Sequence, residues 1–275
     1  MVNIKAIENI QNPILVFGGV YSNLQALESI KSIAEKGGFS PDRIICTGDI
    51  VGYCAQPEAC VQLMKDWGVH AIAGNVELQL KDNAEDCGCD FEADGRCDLL
   101  SRRWYPFAQE NLSGSSLEWI KKLPEFIRFK YENHQAIVLH GSFHRTAEFV
   151  FKSTPSEVKL KNFHDTNSQM ILAGHCGLPF YDEIDDHHWI NAGVIGMPAN
   201  DGGPHVWFSI VDFDETGNIV VTHETLEYDF DTAAQKMIDA GLPISYANTL
   251  RTGIWDNTEI LPDIETAQTG KEIVF

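Results

Sequence analysis

The stretch ILVFGGVYSNLQALESIKSIAEKGGFSPDRIICTGD, residues 14–49, decides the fold class. It opens on the apolar run Ile14–Phe17, too short for a helix and followed by Gly18 and Gly19, which reads as a buried strand. Ser22-Asn-Leu-Gln25 then has the form of a capping box, and Leu24, Leu27, Ile30 and Ile33 recur at helical spacing up to the Gly37-Gly38 stop. A second strand is expected over 43–47. Strand, turn, amphipathic helix and strand in that order make a β-α-β unit of a partly parallel sheet.

The pattern continues outward with a helix expected over Pro57–Trp67 and a third strand over 69–73. The segment KDNAEDCGCDFEADG, 81–95, has neither helical nor strand periodicity and reads as a long acidic loop. Helices are expected over 98–111 and 116–122. Strands follow over Phe126–Tyr131, 136–139, Met170–Ala173, 189–192, Val206–Phe213 and 219–222. Helices early and strands late predict an α/β protein, a four-layer α/β/β/α sandwich of two mixed sheets with helices outside. At 275 residues the chain is expected to form a single domain, 1–275, with an inserted Cys-containing loop (81–97) and an irregular C-terminal tail (253–275).

Composition narrows the function. Forty Asp and Glu against twenty Lys and Arg leave a formal charge of -20, which repels polyanions and disfavours nucleic-acid polymers as partners. No stretch approaches the roughly 20 apolar residues needed to cross a bilayer, and the N-terminus lacks the pattern of an export signal. A soluble, cytoplasmic protein is expected, with its seven Cys as thiols or metal ligands and no disulfide framework. The oligomeric state is not legible.

In layered α/β proteins ligands gather at the carboxyl ends of strands. Five junctions are candidates: FGGVYSN (17–23), TGDIVGY (47–53), AGNVE (73–77), LHGSFHR (139–145) and AGHCGLPF (173–180). Asp49, Asn75, His140 and His175 each follow an apolar run beside a glycine. Singly, each has an ordinary structural role: a cap, a turn, a hydrogen-bonded imidazole. Together, one carboxylate, one amide oxygen and two imidazoles suit Zn, Mn or Fe better than Ca or Mg.

The order of these motifs resembles the calcineurin-like metallophosphoesterases, whose usual series is D-x-H, G-D, G-N-H-D/E, a lone His and G-H-x-H. GDIVGY, GNVE, LHGS, GHCGLPF and the late INAGVIGMP fall in the matching order over most of the chain. The resemblance implies that Asp49 is a bridging carboxylate and that Asn75, His140 and His175 complete the ligands of one metal. The other metal's usual ligands are replaced by Gly19, Tyr21 and Gly177, and the catalytic His of G-N-H by Val76, which neither transfers a proton nor donates a hydrogen bond. One divalent ion (Zn, Mn or Fe) is therefore expected, and a second is doubtful. A single ion retains Lewis-acid polarisation and water activation but loses the two-metal clamp.

Tyr21 has two readings, a ligand or substrate contact and a ring filling the vacated metal volume. His144 and Arg145 fit either a phosphate contact or a solvated loop. Cys87, Cys89 and Cys97, with Cys54, fit either a thiolate cluster for Zn or Fe–S or ordinary unpaired thiols. Three functions remain. The first is hydrolysis of a small phosphoester or nucleotide at a mononuclear site; the second is non-catalytic binding of phosphate or metal on the same fold; the third is a redox variant built on the cysteines.

Overall fold

The computed structural model describes residues 3–11, 13–89 and 91–275; Asp90, within the loop expected over 81–97, and residues 1, 2 and 12 lie outside the described residues. Two sheets form the centre. The first has order β1-β5-β6-β7-β9-β8, from β1 (Ile4–Ala6), β5 (Phe126–Tyr131), β6 (His134–Val138), β7 (Met170–Ala173), β8 (Pro179–Ile184) and β9 (His187–Ala192). The second has order β11-β10-β2-β3-β4, from β2 (Ile14–Phe17), β3 (Ile44–Cys46), β4 (His70–Ala71), β10 (Val206–Phe213) and β11 (Ile219–Leu226). β2, β3 and β4 run parallel, as the β-α-β reading requires, while β10 joins β2 antiparallel.

Side-chain alternation explains the layers. Ile14, Val16 and Ile45 point from one sheet, and Val138, Met170, Leu172 and Ile190 from the other, into a shared core. Their neighbours Leu15, Phe17, Ile44 and Cys46 face outward and are covered by helices α1 (Leu24–Lys36), α2 (Pro57–Trp67), α4 (Arg96–Glu110) and α5 (Gly114–Ile120). Ile137, Ile171 and Trp189 face the opposite side, where Phe163 of α6 (Ser156–Thr166) covers them. This is the four-layer arrangement.

Several details differ from expectation. Asn23, not Ser22, caps α1, its Oδ1 accepting from the Ala26 N–H at 3.2 Å, while Ser22 Oγ accepts from Gly52 N–H at 3.1 Å. The acidic loop is shorter because α3 (Asn75–Asp82) starts at Asn75 itself. Helices also occur late: α6, then α7 (Phe230–Asp239) and α8 (Ile244–Thr252), which pack on each other and, through α7, on α1, with Ala234, Met237 and Leu250 in the helix-covered core. The tail is ordered. Leu261 enters the outer core, α9 (Asp263–Thr266) forms, and Glu265 accepts from Ser153 N–H and Oγ–H at 3.1 and 2.7 Å. Among the described residues no helix is long and apolar enough to cross a membrane.

Candidate metal centre

Asp49 follows β3, Asn75 opens α3 beyond β4, and His140 and His175 follow β6 and β7. Backbone chemistry lets these ends converge. Gly48 has φ +99°, and a Cβ there would lie 2.9 Å from His140 Nδ1; a Cβ on Gly74 would lie 2.1 Å from Asp49 Oδ1. Only glycine allows both approaches. Asp49 and His175 themselves adopt left-handed backbone, φ 52° and 63°, a strained state for residues with side chains that recurs where geometry serves a site.

His140 is the hub. Its Nδ1 donates to the Thr47 carbonyl at 2.7 Å, which leaves Nε2 as the electron-pair donor of the neutral ring. That Nε2 faces Asp49 Oδ2 and Asn75 Oδ1, each at 3.1 Å, and His175 Nδ1 at 3.2 Å. The Asn75 amide is oriented from behind: its Nδ2 donates to Cys87 O at 2.9 Å and approaches Cys89 Sγ at 3.2 Å, so the oxygen points inward. His175 Nε2 is buried without a hydrogen-bond partner among the described residues, and Phe149 stacks on its ring at 4.3 Å.

Four electron-pair donors thus converge where one shared proton satisfies at most one contact, in a buried setting where unmatched lone pairs are costly. The ligand atoms of Asp49, His140 and His175 lie within 4.8 Å of one another, and these residues could hold a metal ion. The donor set fits a cation. Electrostatics of the metal-free pocket agree: burial alone would raise the Asp49 carboxyl, yet the His140 charge and hydrogen bond hold it below its ordinary value. Burial likewise opposes protonation of His140, but the Asp49 charge raises its pKa. His175 is pushed down to about 3 by burial and then by His140.

Behind the ligands, the buried Glu77 carboxylate accepts from the backbone N–H groups of Asp49, Gly74 and Val51, all at 2.9 Å, tying both ligand loops together. Burial and the Asp49 charge push its pKa up to about 7. In the Glu77→Gln variant an amide N–H₂ must face a backbone N–H. At a pH about one unit above that value, the variant is expected to lose about 1–3 kcal/mol of stability. Thermal denaturation checks this; an unchanged midpoint would remove Glu77 from the account.

The remaining candidates are placed differently. Tyr21 is buried, and its ring fills the space beside Gly19, where a Cβ would lie 2.7 Å from Tyr21 Cζ. Burial and then the Asp49 charge push its phenol well above its usual pKa, so a phenolate is disfavoured. Trp255, from the tail, covers Gly177: a Cβ there would meet its Cζ2 and Cη2 at 3.4 Å. Asn200 Oδ1 and the Pro198 carbonyl anchor Trp255 through its N–H and Nε1–H at 2.9 and 2.7 Å. Val76 is buried on α3.

His144 and Arg145 do not line the pocket in front of Asp49 and His175. His144 Nε2 pairs instead with Asp165 Oδ2 of α6 at 3.1 Å, and Arg145 borders a separate open cleft beside Cys87. The four-cysteine cluster does not assemble among the described residues. Cys87 and Cys89 pair with each other as a disulfide, contrary to the expectation of thiols; Cys54 Sγ faces Gly196 O at 3.8 Å; Cys97 Sγ faces Asn257 Oδ1 at 3.3 Å. Among the described residues, Asp49, His140 and His175 are the one group of His, Cys, Asp or Glu with metal-holding geometry. Sequence reasoning gave no role to Glu77, Phe149 or Trp255; the GNVE motif carried a signal for Glu77, whereas Trp255 sits in no motif.

Fold and site together define a layered phosphoesterase architecture in which one carboxylate, one amide oxygen and two imidazoles converge beyond the strand ends. The chain belongs to the calcineurin-like phosphoesterase superfamily, whose domain model matches residues 14–216. An uncharacterised protein of Methanocaldococcus jannaschii is 25% identical over 253 residues, covering 85% of this chain and 95% of that protein. The crystal structure of a metallophosphoesterase from Sphaerobacter thermophilus superposes with a TM-score of 0.67 at 24% identity, covering 89% of this chain and 100% of the other. A hypothetical protein from Pyrococcus horikoshii superposes with a TM-score of 0.73 at 18% identity, covering 90% and 100%. These two likenesses concern the fold.

Proposed function

We propose that the protein is a metal-dependent hydrolase of a small phosphoester or nucleotide, with a single Zn, Mn or Fe ion held by Asp49, Asn75, His140 and His175. The observation that carries the reading is His140 Nε2 facing three other electron-pair donors, 3.1 to 3.2 Å away, in a buried pocket. A bound ion supplies Lewis-acid polarisation of a phosphoryl oxygen and acidifies water. The chain's own residues hold the geometry. Thr47 fixes the His140 tautomer, the Cys87 carbonyl fixes the Asn75 amide, and Phe149 covers the His175 ring against water. With Val76 in place of the proton-donating histidine, the residues favour esters whose leaving oxygen is already acidic.

Reconstitution with Zn, Mn or Fe, followed by metal counting and assays on aryl and nucleotide phosphoesters, tests the proposal. One metal per chain with turnover that disappears in His175→Ala supports it. Stoichiometric metal without turnover supports the second reading, a non-catalytic binding protein, which the filling of the other half-site by Tyr21 and Trp255 favours. Failure to bind any metal sinks both.

The pH dependence has a defined sign. Asp49 raises the pKa of His140 in the metal-free fold, so the proton it holds must leave before Nε2 can serve as a ligand. Below that raised pKa, metal affinity is expected to fall about tenfold per pH unit for each proton displaced. His175 adds no such dependence near neutrality, because it remains neutral down to about 3. Calorimetric Mn titrations between about pH 8 and pH 6 check this; pH-independent affinity contradicts His140 as ligand.

A further inference from the structure

The pocket in front of Asp49 and His175 is walled by rings, among them Tyr21, Tyr53, Phe91, Phe149, Tyr246 and Trp255. Tyr53, Phe91, Phe149 and Trp255 are half-buried, so part of each remains uncovered. Among the described residues no Lys or Arg lines this pocket. Its carboxylates are Asp49 at the floor and Asp256 at the rim, and Asp256 is engaged by Arg96 of α4, whose Nη2 donates to Oδ1 at 3.1 Å. A phosphoester entering here meets aromatic surface on several sides and no side-chain cation.

We infer that this site selects a singly charged phosphodiester carrying a flat aromatic group, aryl or nucleobase, and discriminates against phosphomonoesters. The inference rests on the mononuclear reading above. Two independent features support it. The first is charge. With the buried Glu77 carboxyl behind the Asp49 loop adding no positive charge, one divalent cation opposite the Asp49 carboxylate would leave at most one positive charge uncompensated, which a diester monoanion would neutralise. A monoester carries about -1.5 to -2 near neutrality, and its extra charge finds no counter-ion within aromatic walls. The second is shape. Phe149 stacks on the His175 ring at 4.3 Å with 28° between planes, which puts an aromatic face directly beside a candidate ligand of the ion. Trp255 borders the same pocket beside Gly177. A planar ester group entering the pocket would meet these rings among its walls.

The reaction that follows is a single hydrolysis. Water adds its oxygen to phosphorus, one P–O ester bond breaks, and the proton from water ends on the departing aryl or nucleoside oxygen. The products are an alcohol or phenol and a phosphomonoester. That product has gained the charge the pocket does not accommodate, so it leaves without being hydrolysed to inorganic phosphate.

The test uses the full-length, Mn-loaded protein with bis(p-nitrophenyl) phosphate, p-nitrophenyl phosphate, diethyl phosphate and a 2′,3′-cyclic nucleotide. Affinity is read by calorimetry, and products by phosphorus NMR. The aryl diester is expected to bind at least about tenfold more tightly than both the aryl monoester and the alkyl diester. It should yield p-nitrophenol and p-nitrophenyl phosphate in equal amounts without inorganic phosphate. The cyclic nucleotide arm distinguishes a nucleobase from a simple aryl group. Ile260→Arg, which adds a cation to the pocket wall, is expected to narrow the diester preference about tenfold without changing metal content. Equal or tighter monoester binding, or release of inorganic phosphate, overturns the inference and leaves the hydrolase reading intact. Preferential diester binding without turnover does the reverse: it upholds the selectivity and sinks the hydrolase reading.

Discussion

Replacing His140 with alanine is expected to lower metal affinity by more than about a hundredfold, so that protein purified without added metal retains almost none. Loss of an outer-shell partner typically costs about 10–100-fold, and His140 is no outer-shell group, since its Nε2 approaches all three other donors. The same truncation leaves the buried Asp49 carboxylate without its cationic neighbour and the Thr47 carbonyl without its donor. Breaking a buried pair in this way costs about 3–5 kcal/mol in the metal-free fold. Elemental analysis must therefore be paired with circular dichroism. A folded variant that still holds a full equivalent of metal refutes the assignment. His175→Ala, which leaves the Asp49–His140 contact in place, separates ligand loss from loss of fold: it should lose metal with the smaller loss of stability.

The sequence carried the fold where periodicity and burial agree. Ile14–Phe17, Pro57–Trp67, Phe126–Tyr131, Met170–Ala173 and Val206–Phe213 have the bounds read from the residues, because each fills one layer with apolar side chains or one helix face with the core. Missed elements have physical reasons. β1 is a three-residue edge strand with every side chain exposed, and β8 is an edge strand that begins with proline. Helix α6 buries Lys159, Asn162 and Thr166 along with Phe163, so its covered face does not look apolar. The convergence of Asp49, Asn75, His140 and His175 was legible because each stands at a strand-end motif. On the other side, a space-filling Tyr21 ring was one of two readings of that residue, whereas the cover over Gly177 was not legible, because Trp255 reaches it from a tail without periodicity or motif. The pairing within the cysteine loop was not legible for another reason: composition leaves thiolate ligands and ordinary thiols open, and it is the fold that brings Cys87 and Cys89 together behind Asn75.

Restoring the histidine at the lost ligand position should not restore a second metal. In Gly177→His the new side chain starts from a backbone with φ +80°, a conformation that side-chain-bearing residues rarely adopt, and its Cβ meets the Trp255 ring at 3.4 Å. Trp255 is pinned through both its N–H groups, so the imidazole must either move the tail or point elsewhere. Backbone strain and overpacking together are expected to cost about 2–4 kcal/mol, seen as a lower denaturation midpoint at unchanged metal stoichiometry. Adding Trp255→Ala should recover the packing share of that loss, yet the double variant should still hold one metal. On the far side Tyr21 fills the volume, and an Asp at Gly19 would put its Cβ 2.6 Å from Val194 Cγ1. On the mononuclear reading a second ion would meet three separate obstacles: no ligand at Gly19 or Gly177, the Tyr21 ring beside Gly19 and the Trp255 ring over Gly177. A second equivalent of metal in the Gly177→His protein, counted by elemental analysis, would show that the obstacles yield to a single ligand, and that this centre is a dinuclear site lacking one histidine.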